Sequence, residues 1–570
     1  MDPLLRRAIV TGLLGSAAGM HVGLVGMLAS FQRRETIADY ISLGSTLPIV
    51  IAVIIGWRAG GPMRHPHLRP AGTQALVLGA LAGAAMGVAL AAFAIVITTL
   101  DIRWILANAS QSTADVLQYG QGAGLGSAIL ILSSTALGTA GAALHVLPGP
   151  VARALTVGAL VTLITSLMEP FLGAVLRNLS LQVIERFLYA RGGLTVVGAL
   201  IVFLLVAGAT YAWATRGAET RRRYAGMPAD RQRVGKIVAY LALTGLLLLL
   251  PQIVGQRLSE VVGTVGIYVL LGLGLNIVVG FAGLLDLGYV AFYAVGAYTT
   301  AVLTSAASPA FSPELPFWGA LPFVIIAAAM IGLMVGTPVL RLRGDYLAIV
   351  TLGFGEIARI IFLSAWAQPL VGGAQGILTI PSPLPFTNHP QSIYYPILFF
   401  CVIAAVAATR LASSRVGRAW NAMREDESVA EATGVNTTTF KLLAFGLGAA
   451  FGCLSGAFFA AKIGVVFPQS FDLLVSINAL ALIILGGMGN IAGVVVGAIV
   501  LVGLPELLRE FADYRLLIYG AVLVSMMLLR PEGLLPSRIR RAELHDVVGD
   551  DEEMYAREAG EETGRPVVSS

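Results

Sequence analysis

Long apolar runs separated by short polar stretches set the first expectation for this chain. A helix needs about 20 apolar residues to cross the hydrocarbon of a bilayer, whereas strands of a membrane barrel alternate over about 10. Here the runs are long and do not alternate. They predict spanning helices near residues 8–30, 40–57, 74–99, 122–146, 153–176 and 193–215. A second series follows near 237–254, 258–279, 281–305, 316–340, 345–366, 393–409, 441–465, 473–487, 491–507 and 516–529. The expected class is therefore an all-α polytopic membrane protein with roughly 16 transmembrane helices. Glycines interrupt the pattern at 473–507, where one hairpin or a re-entrant element fits as well as two full crossings. The start, MDPLLRRAIVTGLLGSAAGM, is basic, but its apolar run outlasts a signal-peptide core, so an uncleaved first helix is expected.

Composition agrees with lipid as the main solvent. The 570 residues are 57% hydrophobic and 12% charged, and the mean hydropathy is +0.82. One soluble core could not hide that much apolar surface. The net charge of +5 sits in short loops rather than in long basic tracts, which argues against nucleic acid as a partner. Cys401 and Cys453 lie far apart inside apolar runs, so they read as packing residues, and the six histidines offer no metal-ligand spacing.

Positive charge orients the chain. The stretches at 57–69, 216–236, 341–345, 410–420 and 530–541 all carry excess Lys or Arg, and with both termini cytoplasmic all of them fall on the cytoplasmic side. Two stretches expected outside, FQRRET and RNLSLQVIERFLYAR, also carry arginines. The expected organisation is an N-terminal six-helix block (1–215), a basic cytoplasmic linker (216–236) and a membrane block (237–530) with a cytoplasmic loop at 411–440. An acidic disordered tail (531–570) follows.

The loop holds the most polar sequence between apolar segments, NAMREDESVAEATGVNTTTFK at 421–441. Val416, Trp420, Met423 and Val429 or Ala430 recur at helical spacing, with Arg418, Asn421, Arg424, Glu425, Ser428 and Glu431 turned largely the other way. This predicts one amphipathic helix over 416–433, closed by Gly434, with Asn436 capping the helix that follows. Such a helix is either a solvated connector or a lever that docks on a soluble partner.

Two further features invite weighing. The clusters GFAG (280–283) and LGGMGN (485–490) either pack helices closely or break them at a translocation path. Asp286 and Glu356 interrupt apolar segments, where a carboxylate at helix centre costs about 2.5–3.5 kcal/mol. Arg359, three residues after Glu356, is a ready ion-pair partner. The residues placed at the path or at helix breaks are Gly280, Gly283, Asp286, Gly288, Tyr298, Gly353, Gly355, Glu356, Gly486, Gly487 and Gly489.

A resemblance gives these features a setting. EATG (431–434), preceded by an Arg-Asp-Glu cluster and followed by FGLGAAFGCLSGAFFAA, resembles the EAA-type coupling loop of ABC importer permeases, with Glu-Ala-Thr in place of Glu-Ala-Ala. Three further stretches are similar to the branched-chain amino-acid permeases: GLNIVVGFAGLLDLGYVAFYAVGAYTTAVL (274–303), LRLRGDYLAIVTLGFGEIARII (340–361) and ALIILGGMGNIAGVVVGAIVL (481–501). The match spans roughly 258–530 and leaves the first 236 residues to hydropathy alone.

The resemblance implies a ten-helix ABC-importer core working with a second permease subunit, homologous or identical. It also implies two ABC ATPase subunits and an extracytoplasmic amino-acid-binding protein. It places ATPase coupling on Arg418, Arg424, Glu425, Asp426, Glu427, Glu431 and Gly434. The chain has no G-x-x-x-x-G-K-[ST] stretch, so ATP and Mg are expected to be used by the partner subunits and no cofactor or metal by this chain. The implied function is a non-enzymatic permease subunit of the cytoplasmic membrane importing branched-chain or other hydrophobic amino acids. The alternatives are a urea or short-amide ABC permease, and a proton-coupled transporter using Asp286 and Glu356 as its relay.

Overall fold

The computed structural model describes residues 3–62, 72–100, 103–226, 228–309, 311–339, 344–384, 393–503 and 514–529, with isolated positions at 70, 342, 505 and 533–535. The chain divides into two compact units, Met1–Leu249 and Leu250–Ser570. Nearly all of the tail at 531–570, and parts of the basic loops at 57–69 and 341–345, lie outside the described residues.

In the first unit the main helices are α1 (Pro3–Leu24), α2 (Leu43–Gly60), α3 (Gly72–Thr99), α4 (Ala123–Ala143), α5 (Gly149–Leu167) and α6 (Val196–Ala225). They correspond to the six segments expected from hydropathy. With no water to drive apolar faces together, helices in lipid attract through close backbone approach. Gly138 supplies it here: a Cβ on Gly56 would lie 1.9 Å from Gly138 O, and a Cβ on Gly138 would lie 2.4 Å from Gly79 O, so α4 is seated against both α2 and α3.

The two arginine-bearing stretches expected outside meet in one small sheet, β1 (Glu35–Ile37), β2 (Ile41–Ser42), β3 (Tyr189–Ala190) and β4 (Gly193–Leu194), in the order β2-β1-β4-β3. Its central pair is parallel, with Ile37 opposite Leu194. Arg34 donates to Leu167 O at 2.7 Å and Arg191 pairs with Asp39. Arg34 and Arg191 thus have local partners, and the sheet joins the two stretches.

The basic stretch at 216–236 is helical over 216–225 in α6 and over 229–236 in α7 (Ala229–Val254), and the division between units falls within α7. In the second unit follow α8 (Gln256–Leu275), α9 (Val290–Thr304), α10 (Phe317–Val339), α11 (Asp345–Leu363) and α12 (Tyr394–Ser413). Two short helices, α13 (Arg415–Glu425) and α14 (Glu427–Ala432), precede α15 (Thr437–Ile463), α16 (Leu473–Gly486), α17 (Ile491–Ala498) and α18 (Arg515–Leu529). α15 is the central helix, packed on α8, α9 and α10. It crosses α9 with backbones in contact, since a Cβ on Gly296 would lie 1.9 Å from Cys453 O and one on Gly456 1.9 Å from Tyr293 O. On α10 the large exposed side chains are apolar and include Phe323, Ile326, Met330 and Leu333, at helical spacing. An apolar outer stripe over an apolar core is the pattern of a helix facing lipid.

The expected count of sixteen crossings is not confirmed in full. Among the described residues, eleven helices have the length and composition of a full span, or twelve if the first helix and Met27–Arg33, bent by 64°, count as one. Leu241–Val254, Val290–Thr304 and Ile491–Gly503 are apolar but shorter, and α18 has 15 residues. Among the described residues each of the sixteen expected segments contains helix, and these four fall short of a full span; two of the four, α9 and α17, begin at breaks in the backbone.

Candidate functional site

The polar loop between α12 and α15 is built from caps. Ser414 opens α13 by accepting hydrogen bonds from the N–H of Val416 (3.1 Å) and Gly417 (3.3 Å). Trp420 and Met423 are buried, and the Trp420 indole donates to Phe440 O at 2.8 Å, docking α13 on the start of α15. The single helix expected over 416–433 is instead two helices broken at Asp426. That residue is extended (φ −154°, ψ 113°) and its carboxylate accepts from Ser428 N (2.8 Å) and Val429 N (3.0 Å). An aspartate that can bond amides two and three residues ahead favours an N-cap over a helix interior.

The break turns α14 so that Ala430 is buried and Val429 exposed. Gly434, at φ +91°, closes α14 with Val435 N donating to Ala430 O (3.1 Å), and Asn436 caps α15 through Thr439 N (3.1 Å). The charged residues proposed for coupling therefore divide. Arg418, Glu425 and Glu431 are exposed; Asp426 is the cap; Glu427 pairs at 2.6 Å with Lys441, which is buried.

Arg424 does not face outward as expected. It turns into the second unit, donating to Gly280 O at 3.0 Å while Glu425 holds its other end at 3.3 Å. The acceptor is free because α8 does not end as an α-helix. Residues Asn276–Phe281 form a π-helical turn, Ala282 N donates to Ile277 O (3.2 Å) and Leu284 N to Val278 O (3.0 Å), and the chain then stays non-helical until α9. Leu284 N would have bonded Gly280 O in a regular helix. Gly283 must be glycine twice over: φ is +72°, and a Cβ would lie 2.5 Å from Arg424 Cγ.

A second break joins the first. Asn276, buried in the π turn, accepts from Gly489 N at 2.9 Å. Gly487 and Gly489 have φ +115° and +76°, so LGGMGN ends α16 and starts α17 rather than continuing one helix. Gly486 and Gly493 meet across this hairpin, a Cβ on the former falling 2.0 Å from Gly493 O. Asn490 donates to Leu535 O at 2.8 Å, while Leu534 N and Leu535 N donate to Leu485 O and Gly486 O. Lever, first break, second break and the segment after α18 thus form one hydrogen-bonded chain.

The remaining candidates take different positions. Asp286 is buried between the first break and α9, and its Oδ1 accepts from Gly288 N at 2.9 Å. Gly288 is packed against α11, since a Cβ there would lie 1.8 Å from Thr351 O, and Gly355 touches it. Tyr298 is buried and stacked on Phe362 with ring centres 4.3 Å apart. Glu356 pairs with Arg359 at 3.0 Å and both are about one-third exposed, while nothing approaches Gly353. Those two residues are not brought to the breaks. Sequence reading passed over Asn276, Lys441, Thr351 and Asn490. Asn276 and Lys441 carried the signal used for Asp286, a polar side chain in an apolar run.

Comparison with known proteins places this geometry. A family model described as the branched-chain amino acid transport system permease component matches residues 257–529, the stretch that holds both breaks and the lever. The high-affinity branched-chain amino acid transport system permease protein LivM of Escherichia coli is 40% identical over 337 residues, covering 54% of this chain and 77% of the relative.

The chain belongs to this permease family.

LivM of Salmonella typhimurium matches to the same extent, and BraD of Pseudomonas aeruginosa is 28% identical over 287 residues, 47% of this permease and 91% of the relative. No solved structure matches. The permease is a multi-pass membrane protein with the apolar helices expected of a transport component.

Proposed function

We propose that this permease is a subunit of an ATP-driven importer that moves branched-chain amino acids across the cytoplasmic membrane, with both termini cytoplasmic. The observation that carries the reading is the Arg424–Gly280 bond, which ties an exposed polar lever to a break in a spanning helix. Separate ATPase subunits, which use ATP and Mg, bind the exposed face of the lever, formed by Arg418, Glu425, Val429 and Glu431. A second permease subunit completes the path, and an extracytoplasmic binding protein delivers the amino acid.

In this reading, closure of the ATPase pair pushes α13 and α14. Arg424 passes the displacement to Gly280, Asn276 passes it to Gly489, and the two glycine breaks reorient α9 and α17 about the path. Each step uses a hydrogen bond that a shift of about 1 Å would break or re-form. LivM and BraD are by name branched-chain amino acid permeases, which supports that cargo over urea and short amides. The Glu356–Arg359 pair leaves that carboxylate occupied, which disfavours it as half of a proton relay.

The test is purification of the tagged chain from its host with its partners. ATPase subunits are expected to co-purify, and Glu431→Arg on the exposed face is expected to lower their recovery several-fold. Unchanged recovery, or leucine uptake that needs a pH gradient and no ATP, would overturn the reading.

A further inference from the structure

Among the described residues the fold buries two charged side chains, Asp286 at 1% exposure and Lys441 at 2%. They are treated differently. Lys441 is neutralised by Glu427 at 2.6 Å. Asp286 has no cation beside it among the described residues, and its Oδ2 has no hydrogen-bond partner. A carboxyl buried in an apolar region without a counter-charge points to a substrate or ion path.

Its Oδ1 has a local duty, accepting from Gly288 N in the turn that leads into α9. An amide oxygen would perform that duty equally well. The second oxygen, Oδ2, is left without a hydrogen-bond partner in the described fold. Of the neighbours, Thr351 Oγ accepts from Leu287 N at 3.0 Å and also lies within hydrogen-bonding reach of the Asp286 carboxyl, while the Tyr289 hydroxyl is taken up by Gly448 O at 2.7 Å; none of them is a cation. The carboxylate stands just past the first glycine break, where Gly288 closes on Thr351 and Gly355 of α11. Two more buried polar groups without partners lie along the same stretch, Asn276 Nδ2 before Asp286 and the Tyr298 hydroxyl after it, and both can donate.

We propose that Asp286 receives the ammonium group of the amino acid as it passes the break, with Oδ2 as the acceptor. This rests on the importer reading and names a contact within its path. The same chemistry would suit a monovalent metal ion, and the experiment separates the two. The seam between the start of α9 and α11, closed in this conformation, opens to admit the ammonium group; a neutral or anionic cargo has nothing to gain there.

The complete importer is reconstituted in liposomes with its binding protein, and leucine uptake is measured for wild type, Asp286→Asn and Asp286→Ala. Asp286→Asn keeps the turn and removes the charge. It is expected to lower uptake at least tenfold, as far as Asp286→Ala, with assembled complex recovered in normal amount. Uptake by Asp286→Asn close to wild type would overturn the proposal and leave Asp286 a turn residue. Wild-type uptake should persist when Na+ and K+ are replaced by choline; dependence on one metal ion would overturn the ammonium assignment. If neither variant assembles, labelling of Asp286 by a carbodiimide in the wild-type importer decides. Turnover of leucine is expected to lower the labelled fraction, and equal labelling with and without leucine would count against the contact. A wild-type importer that moves no leucine with ATP and binding protein present would sink the importer reading itself.

Discussion

Arg424 shows how much a single side chain can be misplaced by periodicity. Its position on the helical wheel put it with Arg418 and Glu431 on the outer face, yet the guanidinium reaches back to Gly280 O, 144 residues earlier. What makes this feasible is Gly283, whose missing Cβ leaves room for the arginine stem. A hydrogen bond to a charged group contributes about 1.5–3 kcal/mol, so Arg424→Gln should weaken the link between lever and break by roughly tenfold or more. The expected phenotype is uncoupling: ATPase subunits still co-purify, while leucine moved per ATP hydrolysed falls. Gly283→Ala should resemble it, because a left-handed backbone costs a residue with Cβ about 1–2 kcal/mol and the new methyl would displace Arg424. Loss of the ATPase subunits from either variant would return Arg424 to the outer face.

At the scale of elements, the apolar segments were legible because lipid demands length and composition, and those are written along the chain. The caps were legible too: Gly434 and Asn436 act as their residue types suggest. The two glycine breaks were half legible: GFAG and LGGMGN offered either a break or close packing, and nothing local decided between them. The π turn at Asn276–Phe281 depends on Asn276 meeting Gly489, 213 residues away, and no local pattern encodes that bond. The break at Asp426 was within reach, since aspartate competes for the amides of a helix start, but helical spacing on both sides hid it. The two-helix lever makes its own prediction. Asp426→Ala removes the cap of α14 at a cost of about 1 kcal/mol, while Asp426→Asn keeps it. Backbone amides of Ser428 and Val429 should then exchange hydrogen about fivefold faster in the alanine variant and near the normal rate in the asparagine variant. Equal rates in both would mean that tertiary contacts through Ala430, rather than the cap, hold α14 in place.

At the scale of the whole molecule, everything depends on which side of the membrane the lever occupies. The excess of Lys and Arg in its neighbouring loops is the ground on which we propose an inside location, together with both termini. Two arginines of the stretches expected outside, Arg34 and Arg191, are held by Leu167 O and Asp39 at one small sheet, which weakens their claim on the opposite orientation. The lever itself offers a direct measurement. Ser428 is exposed, so Ser428→Cys gives a reporter. The native cysteines are poor competitors: Cys453 is buried, and Cys401 lies within the apolar helix α12 with its thiol on Gly266 O. In intact cells a membrane-impermeant maleimide should leave the Ser428→Cys protein unlabelled, and permeabilisation should label it fully. Addition of the ATPase subunits to permeabilised membranes should then slow the labelling, because α14 presents Ser428 beside Val429 and Glu431 on the face assigned to them. Labelling in intact cells would put the lever on the wrong side of the membrane for a motor that uses cellular ATP, and the chain of bonds from Arg424 to Gly489 would need another driver.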